Sequence, residues 1–205
     1  MGLVVSTAPA SEPVSLDEAR LHVRQDGDDS ADDDYLESLI VAARRWCEER
    51  LCQQFVTATL TLTLDCFPCR EGGLIEFPKS PLISVAAASP IVWVKYYDAA
   101  NAQQTLSATE YDYDLTSKPG RLRPAYGYSW PTTYVRMNAV EIKYTAGHGA
   151  AAAVPQTIKQ AILLLVGHWY ANREPVGTVG KQIEFAVDSL LGVEWDGSVS
   201  YAGVT

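Results

Sequence analysis

Residues 167–174 (GHWYANRE) gather the side chains in this sequence that could most readily do acid–base chemistry. His168 and Glu174 could serve as a general acid and a general base. They are six positions apart on one predicted helix, however, so their side chains do not share a face. No serine or cysteine nucleophile motif and no phosphate-binding glycine loop accompanies them. We therefore interpret the segment as a helix end used for packing and protein–protein contact.

The acidic stretch 26–37 (DGDDSADDDYLE) has some of the spacing of a calcium-binding loop. Asp26 and Glu37 would occupy the first and last ligand positions of such a loop. The position that needs glycine for a sharp turn holds Ala31 instead. Charged capping of the helix that follows is the better interpretation. We predict no metal site and no cofactor.

Four cysteines form two pairs. Cys47 and Cys52 lie five positions apart in a helical pattern, and Cys66 and Cys69 form the motif CFPC. The first pair lacks the spacing of zinc ligands, and CFPC follows a strand pattern without opening a helix, as a thioredoxin-like motif would. We interpret all four as reduced, unrelated thiols, and a Cys66–Cys69 disulfide or an adventitious metal site as the alternatives.

Composition limits the classes of partner. Of the 205 residues 47% are hydrophobic, which is enough for a core, and the net charge is −9. The 16 Lys and Arg residues are scattered, whereas proteins that bind nucleic-acid phosphates usually cluster them. The longest apolar run, AILLLVG, is far shorter than the roughly 20 residues of a membrane helix, so we expect no membrane partner.

Three helical patterns frame the sequence. The first opens with a capping box formed by Ser15 and Glu18. The second carries three aspartates, residues 32–34, in its first turn and is apolar at helical spacing as far as Leu51. The third runs from Pro155 to Glu174 and is apolar on nearly all sides. Such a helix is buried, and we expect burial on two sides, within the subunit and between subunits.

Between the second and third helices the pattern changes to strands. FVTATLTLTLD alternates strictly between apolar residues and threonines, as a half-buried strand does. Further strands are predicted at GLIEFP, IVWVKYYD, EYDYDL, GRLRP and NAVEIKYTAG. The many aromatic residues of this region could stack on sugars or bases, but at strand spacing they are typical of core and cross-strand pairs.

The predicted fold class is α+β: a helical framework of three main helices and a short C-terminal helix, with an inserted antiparallel β-rich module. The predicted organisation is a flexible N-terminus (1–13), a helical core (14–53 and 155–192), the β-rich module (54–154) and a C-terminal tail (193–205).

Five segments follow one another along residues 13–192: VSLDEARLHVRQDGDDSADDDYLESLIVAARRWCEERL, FPKSPLISV, YSWP, IKYTAGHG and VPQTIKQAILLLVGHWYANRE. As an ordered set they resemble the head–tail connector, or adaptor, proteins of long-tailed bacteriophages and related gene transfer agents. The large β insertion departs from the shorter adaptors, so the surface that faces the next ring cannot be carried over residue by residue.

The resemblance implies a structural virion protein and no enzyme. Such adaptors form a ring of twelve copies under the portal protein, extend the DNA channel and dock stopper or tail-completion proteins. It therefore implies three protein partners: the portal, a stopper or tail-completion protein, and further copies of the chain. Genomic DNA would pass through without specific binding. The resemblance places the protein in the virion neck and, during assembly, in the host cytoplasm.

The residues expected at subunit or portal interfaces are His168, Trp169, Tyr170, Arg173, Glu174, Trp195 and Tyr201. Arg173 and Glu174 are the pair expected to reach another subunit or the portal. Two alternatives stay open from the sequence. One is a tail or baseplate accessory whose aromatic β module binds a glycan. The other is a small hydrolase or metal enzyme that uses His148, His168 and the aspartate-rich loop.

Overall fold

The structure is a computed structural model, and it describes residues 1–25, 30–69, 72–84, 89–173 and 180–194. It confirms the α+β class, with α-helices and antiparallel sheets in separate parts of the chain. The chain divides into two compact units. A β unit contains Met1–Ala10 and Thr57–His148, and a helical unit contains Ser11–Val56 and the described residues from Gly149 onward.

The helical unit contains α1 (Leu16–Val23), α2 (Asp33–Leu51), α3 (Gln156–Ala171) and α4 (Gly180–Glu194), with a short 3₁₀ turn at Ala151–Ala153. The predicted capping box of α1 is present. The Ser15 hydroxyl accepts a hydrogen bond from the Glu18 amide at 3.2 Å, and the Glu18 carboxylate accepts one from the Ser15 amide at 2.7 Å. These bonds satisfy two backbone donors that the start of a helix would otherwise leave unpaired.

Helix α3 is the centre of this unit, and its own chain covers it. It packs against α1, α2 and α4, and its buried side chains are Ile158, Ala161, Ile162, Leu163, Leu165 and Val166. The apolar pattern correctly predicts burial on more than one side. Helix α4, predicted as a short helix, is 15 residues long and supplies part of this cover. The expectation that neighbouring subunits cover α3 as well stays a prediction.

Two helix ends differ from the sequence prediction. Helix α3 ends at Ala171, three residues before the predicted end, because Asn172 leaves helical geometry. The Asn172 backbone and side-chain N–H groups both donate to the His168 carbonyl, at 3.0 and 2.9 Å. At the start of α2, Asp32 stands at the capping position but its side chain makes no capping hydrogen bond. Asp32 therefore does not have the capping role that the sequence led us to expect.

A buried polar network stabilises the C-terminal half of α2. Arg44 and Glu48 are 7% and 5% exposed, and the Arg44 guanidinium donates to Glu48 at 2.7 Å and to Glu12 at 2.6 Å. Glu48 also accepts from the Gln54 side chain at 2.7 Å and from the Phe55 amide at 3.1 Å. Burial alone would lower the pKa of Arg44, but the two carboxylates outweigh it and raise the pKa. The network ties the segment before α1 and the segment after α2 to one helix.

The described residues of the β unit form eight strands in two antiparallel sheets. The strands are β1 (Gly2–Thr7), β2 (Ala58–Leu64), β3 (Ile75–Glu76), β4 (Ile91–Tyr97), β5 (Gln103–Leu106), β6 (Tyr111–Asp114), β7 (Arg121–Pro124) and β8 (Val140–Ala146). The larger sheet has the order β1-β2-β8-β4-β5, and the smaller has the order β3-β7-β6. The alternation predicted for β2 is confirmed, with Ala58, Leu60 and Leu62 buried. The largest fully buried side chains of this unit are Leu60, Leu62, Phe77, Leu122, Ile142 and Tyr144.

The N-terminal residues form an edge strand where the sequence led us to expect a flexible segment. Strand β1 pairs antiparallel with β2, with Leu3 opposite Leu62. The hydroxyls of Ser6 and Thr61 are hydrogen-bonded at 2.6 Å. The segment GLVVST carries no charge and includes β-branched residues, which favour a pleated, half-buried position. That expectation was wrong for residues 2–7.

Candidate docking surfaces

Four side chains join the end of α3 to the start of α2, and we call them the helix-end cluster: Asp32, Tyr35, Tyr170 and Arg173. The Tyr170 hydroxyl and the Arg173 guanidinium both donate to one carboxylate oxygen of Asp32, at 2.7 and 2.9 Å. The guanidinium carbon of Arg173 lies 4.8 Å from the ring centre of Tyr35 and 5.4 Å from that of Tyr170. These are distances at which a cation is attracted to an aromatic face.

The pKa shifts in the helix-end cluster are typical of side chains that are paired with one another and stabilise the fold. The hydrogen bond from Tyr170, followed by the hydrogen bond from Arg173, holds the pKa of Asp32 below its ordinary value. The same bond to Asp32 raises the pKa of Tyr170, and Asp32 raises the pKa of Arg173. Each shift favours the form already present at neutral pH. The arrangement stabilises a charge pair and moves no group toward a pKa suited to proton transfer.

The helix-end cluster accounts for two residues that the sequence placed at a subunit interface. Tyr170 and Arg173 have partners within their own chain, although the Arg173 side chain remains 57% exposed. Trp169 is partly buried against the helical core. His168 is half-buried, and its Nδ1 lies 3.2 Å from the Asn172 side-chain nitrogen. Glu174, Trp195 and Tyr201 lie outside the described residues. For all seven residues the assignment to a subunit or portal interface stays a prediction.

A second surface lies in the β unit, on residues 125–138, which we call the aromatic loop. Trp130 anchors its middle: the indole N–H donates to the Gly73 carbonyl at 2.5 Å, and the ring stacks on Phe67 with centroids 4.7 Å apart. Gly73 has a φ of +52°, and a Cβ at this position would lie 2.6 Å from the Trp130 indole nitrogen. Only glycine allows this close approach without displacing the ring.

Three further contacts hold the second half of the aromatic loop. The Tyr134 amide donates to the Tyr97 carbonyl at 2.9 Å, and the Asn138 amide donates to an Asp65 carboxylate oxygen at 2.8 Å. The Arg136 guanidinium carbon lies 3.9 Å from the centre of the Tyr97 ring. The loop contains no helix or strand, yet its backbone is tied to the β unit at several points.

The anchored loop turns large apolar side chains outward. Tyr126 is fully exposed, and Val135 and Met137 are 96% and 82% exposed. These three residues contribute to the lining of a cavity of about 1160 Å³, together with Phe67, Tyr128, Trp130 and Tyr134. Contiguous exposed apolar residues on a fixed framework are typical of a site where another molecule binds.

Basic residues gather in the stretch around the aromatic loop, although the loop itself contains only Arg136. Residues 115–140 contain four of the 16 Lys and Arg residues and none of the 25 Asp and Glu residues, so this stretch carries +4 while the rest carries −13. The basic residues are therefore less evenly scattered than we expected. Sequence analysis raised the aromatic residues of this region as possible stacking surfaces but did not single out residues 125–138, because no local pattern distinguishes side chains that the fold exposes from those that it buries.

Within the described residues, no group of three or more His, Cys, Asp or Glu side chains is placed to hold a metal ion. Asp26, the first position of the stretch that was compared with a calcium-binding loop, lies outside those residues, and Asp33 pairs with Arg20. All four cysteines are free. Cys47 is buried, which raises the pKa of its thiol to about 12, whereas Cys66 and Cys69 are exposed.

None of the described helices combines the length and the apolar character needed to cross a membrane.

The fold of this chain is similar to that of chains in gene transfer agent (GTA) particles. A chain from the neck of an empty GTA particle, computed with C6 symmetry, has a TM-score of 0.77 at 24% identity, and a chain from the virion of the native particle has 0.76 at 24% identity. A chain from the neck of the native particle, computed with C12 symmetry, has 0.69 at 23% identity. Each match covers 99% of this chain and 99% of the other. No protein-family model and no curated protein matches the chain.

Proposed function

We propose that this protein is a structural component of a virion neck, a head–tail adaptor that forms a ring under the portal. One observation carries the proposal: the similarity to neck chains extends over 99% of both chains and therefore includes the helical unit together with the β unit. An insertion unrelated to the neck would have left the β unit unmatched. The proposed role is to extend the DNA channel and to dock a stopper or tail-completion protein, without enzymatic activity.

The symmetry of the similar particles supports a ring. Their necks were computed with C6 and C12 symmetry, and we propose twelve copies of this chain in the neck. A net charge of −9 per copy, repeated around a ring, suits a conduit through which duplex DNA slides, since acidic surfaces do not release counterions from phosphates as basic surfaces do.

Electron microscopy of the purified full chain mixed with the portal protein of the same particle tests this function. We expect a ring of copies at one end of the portal, visible as added density with the rotational symmetry of the neck. The portal alone and the chain alone serve as controls. A mixture in which the chain does not bind the portal at micromolar concentration would refute the adaptor function.

A second function is favoured by one observation, the cavity beside the aromatic loop. Tyr128, Trp130 and Tyr134 line it, and aromatic rings in a cleft can stack on sugars as well as on protein side chains. The protein would then be a tail or baseplate accessory that binds a glycan. Binding of the full chain to host surface polysaccharide, lost in Tyr128→Ala, would favour this function; it predicts no ring on the portal.

A further inference from the structure

We propose that residues 198–205 of the C-terminal tail add a further strand to the larger sheet, on the open edge of β1 in the same chain. The inference goes beyond the adaptor function and does not depend on it, because it concerns a single copy. It is built on three observations: an unprotected sheet edge, a tail whose composition suits a strand, and a connection that leads the tail to that edge.

The outer side of β1 is an open sheet edge. Among the described residues no strand pairs with it, since β1 stands at the end of the order β1-β2-β8-β4-β5. An edge strand presents backbone N–H and C=O groups to which another strand can bind, and natural proteins often protect such edges with charged residues or proline. The strand Gly2–Thr7 (GLVVST) contains neither. Its one register shift lies between Val5 and Thr7, so residues 2–5 pair regularly with β2.

Apolar side chains on both faces of β1 are left uncovered. Val4 and Val5 are 60% and 53% exposed, and successive residues of a strand point to opposite faces of the sheet. Val5 lies opposite Leu60, which is buried, so the cover of that face does not extend from Leu60 to Val5. A strand beside β1 would place side chains next to both valines and would remove apolar surface from water.

The tail has the composition of a strand that could bind this edge. Residues 197–205 (GSVSYAGVT) contain no charged residue and no proline. Val199, Tyr201 and Val204 are of the residue types that favour strands. Val199 and Tyr201 are two positions apart, so in a strand they would lie on one face. Since strand addition relies mainly on backbone hydrogen bonds, an uncharged segment without proline is what an uncharged edge can accept.

The connection between α4 and β2 brings the tail within reach of the edge. At the end of α4, the Glu194 carbonyl accepts a hydrogen bond from the Gln53 side chain at 3.3 Å. Gln53 is only five positions before Ala58, the first residue of β2, and five residues span at most about 18 Å. Residues 195–205 can extend over roughly 37 Å. The tail can therefore cross this distance and still have several residues with which to pair.

The same connection sets the direction of the added strand. Thr59, near the start of β2, lies opposite Thr7 at the end of β1. A tail that arrives there would run from Thr7 toward Gly2, antiparallel to β1, as every other pair in this sheet is antiparallel. The tail would also outcompete a second copy for the edge, because a short connection gives an intramolecular partner an effective concentration of about millimolar.

Photo-crosslinking of the purified full chain tests the inference without any other protein. Chains with benzoylphenylalanine in place of Tyr201 are mixed with an equal amount of ¹⁵N-labelled chains that lack the photo-reactive group. We expect irradiation to join the tail to residues 1–10 of the same, unlabelled chain. The matched control carries the group in place of Gln103, which is exposed on β5 at the opposite edge of the sheet, and should not capture residues 1–10.

Hydrogen exchange of a chain that ends at Trp195 gives a second, independent measurement. Without residues 196–205 the outward N–H groups of β1 lose their partners, so we expect a loss of protection in the peptide that contains β1. Strand β5 at the other edge and the central strand β8 are the controls. Their protection should stay unchanged, which shows that the sheet itself remains folded.

The outcomes decide the inference separately from the adaptor function. Capture of residues 1–10 of the same chain, together with the loss of β1 protection on truncation, supports the inference. Capture of labelled residues 1–10, of any other region or of nothing overturns it, and so does β1 protection that the truncation leaves unchanged. If the truncation loosens β8 as well, the crosslink alone decides. None of these results concerns binding to the portal, which the electron microscopy tests by itself.

Discussion

The hydroxyl of Tyr170 donates a hydrogen bond to the Asp32 carboxylate at 2.7 Å, and this bond ties the end of α3 to the start of α2. Asp32 accepts from Arg173 as well, so one carboxylate holds two side chains from the far end of the sequence. Tyr170 and Arg173, two residues of the segment 167–174, thus form a clasp with the start of α2, and its strength depends on the charge of Asp32.

The charge of Asp32 gives a testable pH dependence. The pKa of Asp32 is lowered in the folded state, chiefly by the hydrogen bond from Tyr170. The ionised carboxylate therefore stabilises the fold at pH values above its ordinary pKa of 3.8. This stabilisation is lost as the pH falls through the lower pKa of the folded state. We expect Asp32→Asn to be less stable than wild type at neutral pH and the difference to shrink in acid. Urea denaturation across this range measures it, with Asp34→Asn as control. A difference that does not change with pH would contradict the clasp.

Reversal of the charge at position 173 should weaken the same clasp. Arg173→Glu places a second carboxylate beside Asp32 and removes the cation from the faces of Tyr35 and Tyr170. We expect a lower midpoint of urea denaturation than for Arg45→Glu, which makes the same change of charge at an exposed position of α2. The double variant Asp32→Arg/Arg173→Glu should recover part of the loss. Equal midpoints for the two single variants would mean that the pair contributes nothing.

The buried network around Glu48 should be among the most sensitive positions of the helical unit. Glu48→Ala leaves Arg44 buried with one of its two carboxylates and leaves the Phe55 amide unpaired. Breaking a buried ion pair costs about 3–5 kcal/mol of unfolding free energy. Glu37→Ala, at an exposed position of the same helix, gives the control and should change stability by no more than about 0.5 kcal/mol. Chemical denaturation of both variants decides whether the network is structural.

The cover of α3 by its own chain can be tested by truncation of a core side chain. Ile162 is fully buried, and Ile162→Ala should cost about 2–5 kcal/mol. Phe185→Ala, at a position 76% exposed on α4, should cost no more than about 0.5 kcal/mol. Both losses of stability should be independent of protein concentration, because no second copy contributes to the fold. Denaturation curves recorded over a roughly hundredfold range of protein concentration measure this. A denaturation midpoint that rises with concentration would show that neighbours help to cover the helix.

Alanine substitutions at Gly73 and Gly127 distinguish backbone strain from a steric clash with Trp130. Both have positive φ, +52° and +84°, but only at Gly73 does an added Cβ meet Trp130. Each substitution by alanine costs about 1–2 kcal/mol for the left-handed backbone. Gly73→Ala alone should also displace the indole, which a ¹⁵N NMR spectrum reports as a shift of the Trp130 N–H signal. An unchanged signal would show that the ring does not depend on the close approach.

Local patterns were sufficient for most of the elements. The capping box at Ser15 and the alternation around Leu60 and Leu62 predict α1 and β2 because side-chain periodicity records which face is buried. Strands β4, β6, β7 and β8 were found in the same way. Strand β1 was missed because its partner strand is distant in the sequence. Gly2 pairs with Thr63, and no pattern near Gly2 indicates this pairing.

The candidate surfaces were harder to predict, and for the same reason. Trp130 is fixed by Gly73, 57 residues earlier, and Arg173 by Asp32, 141 residues earlier. A sequence shows that an arginine and several aspartates exist, but only the fold decides which of them meet. Arg173 was therefore expected to be available to another subunit, whereas its own chain provides its partner.

Helix α3 packs against α1, α2 and α4 of its own chain, and most of its apolar side chains are buried there. A copy with this packing can fold before it meets another copy. Under the adaptor function proposed above, finished copies would therefore accumulate before assembly, and their addition to a head would be limited by diffusion and docking rather than by polypeptide folding.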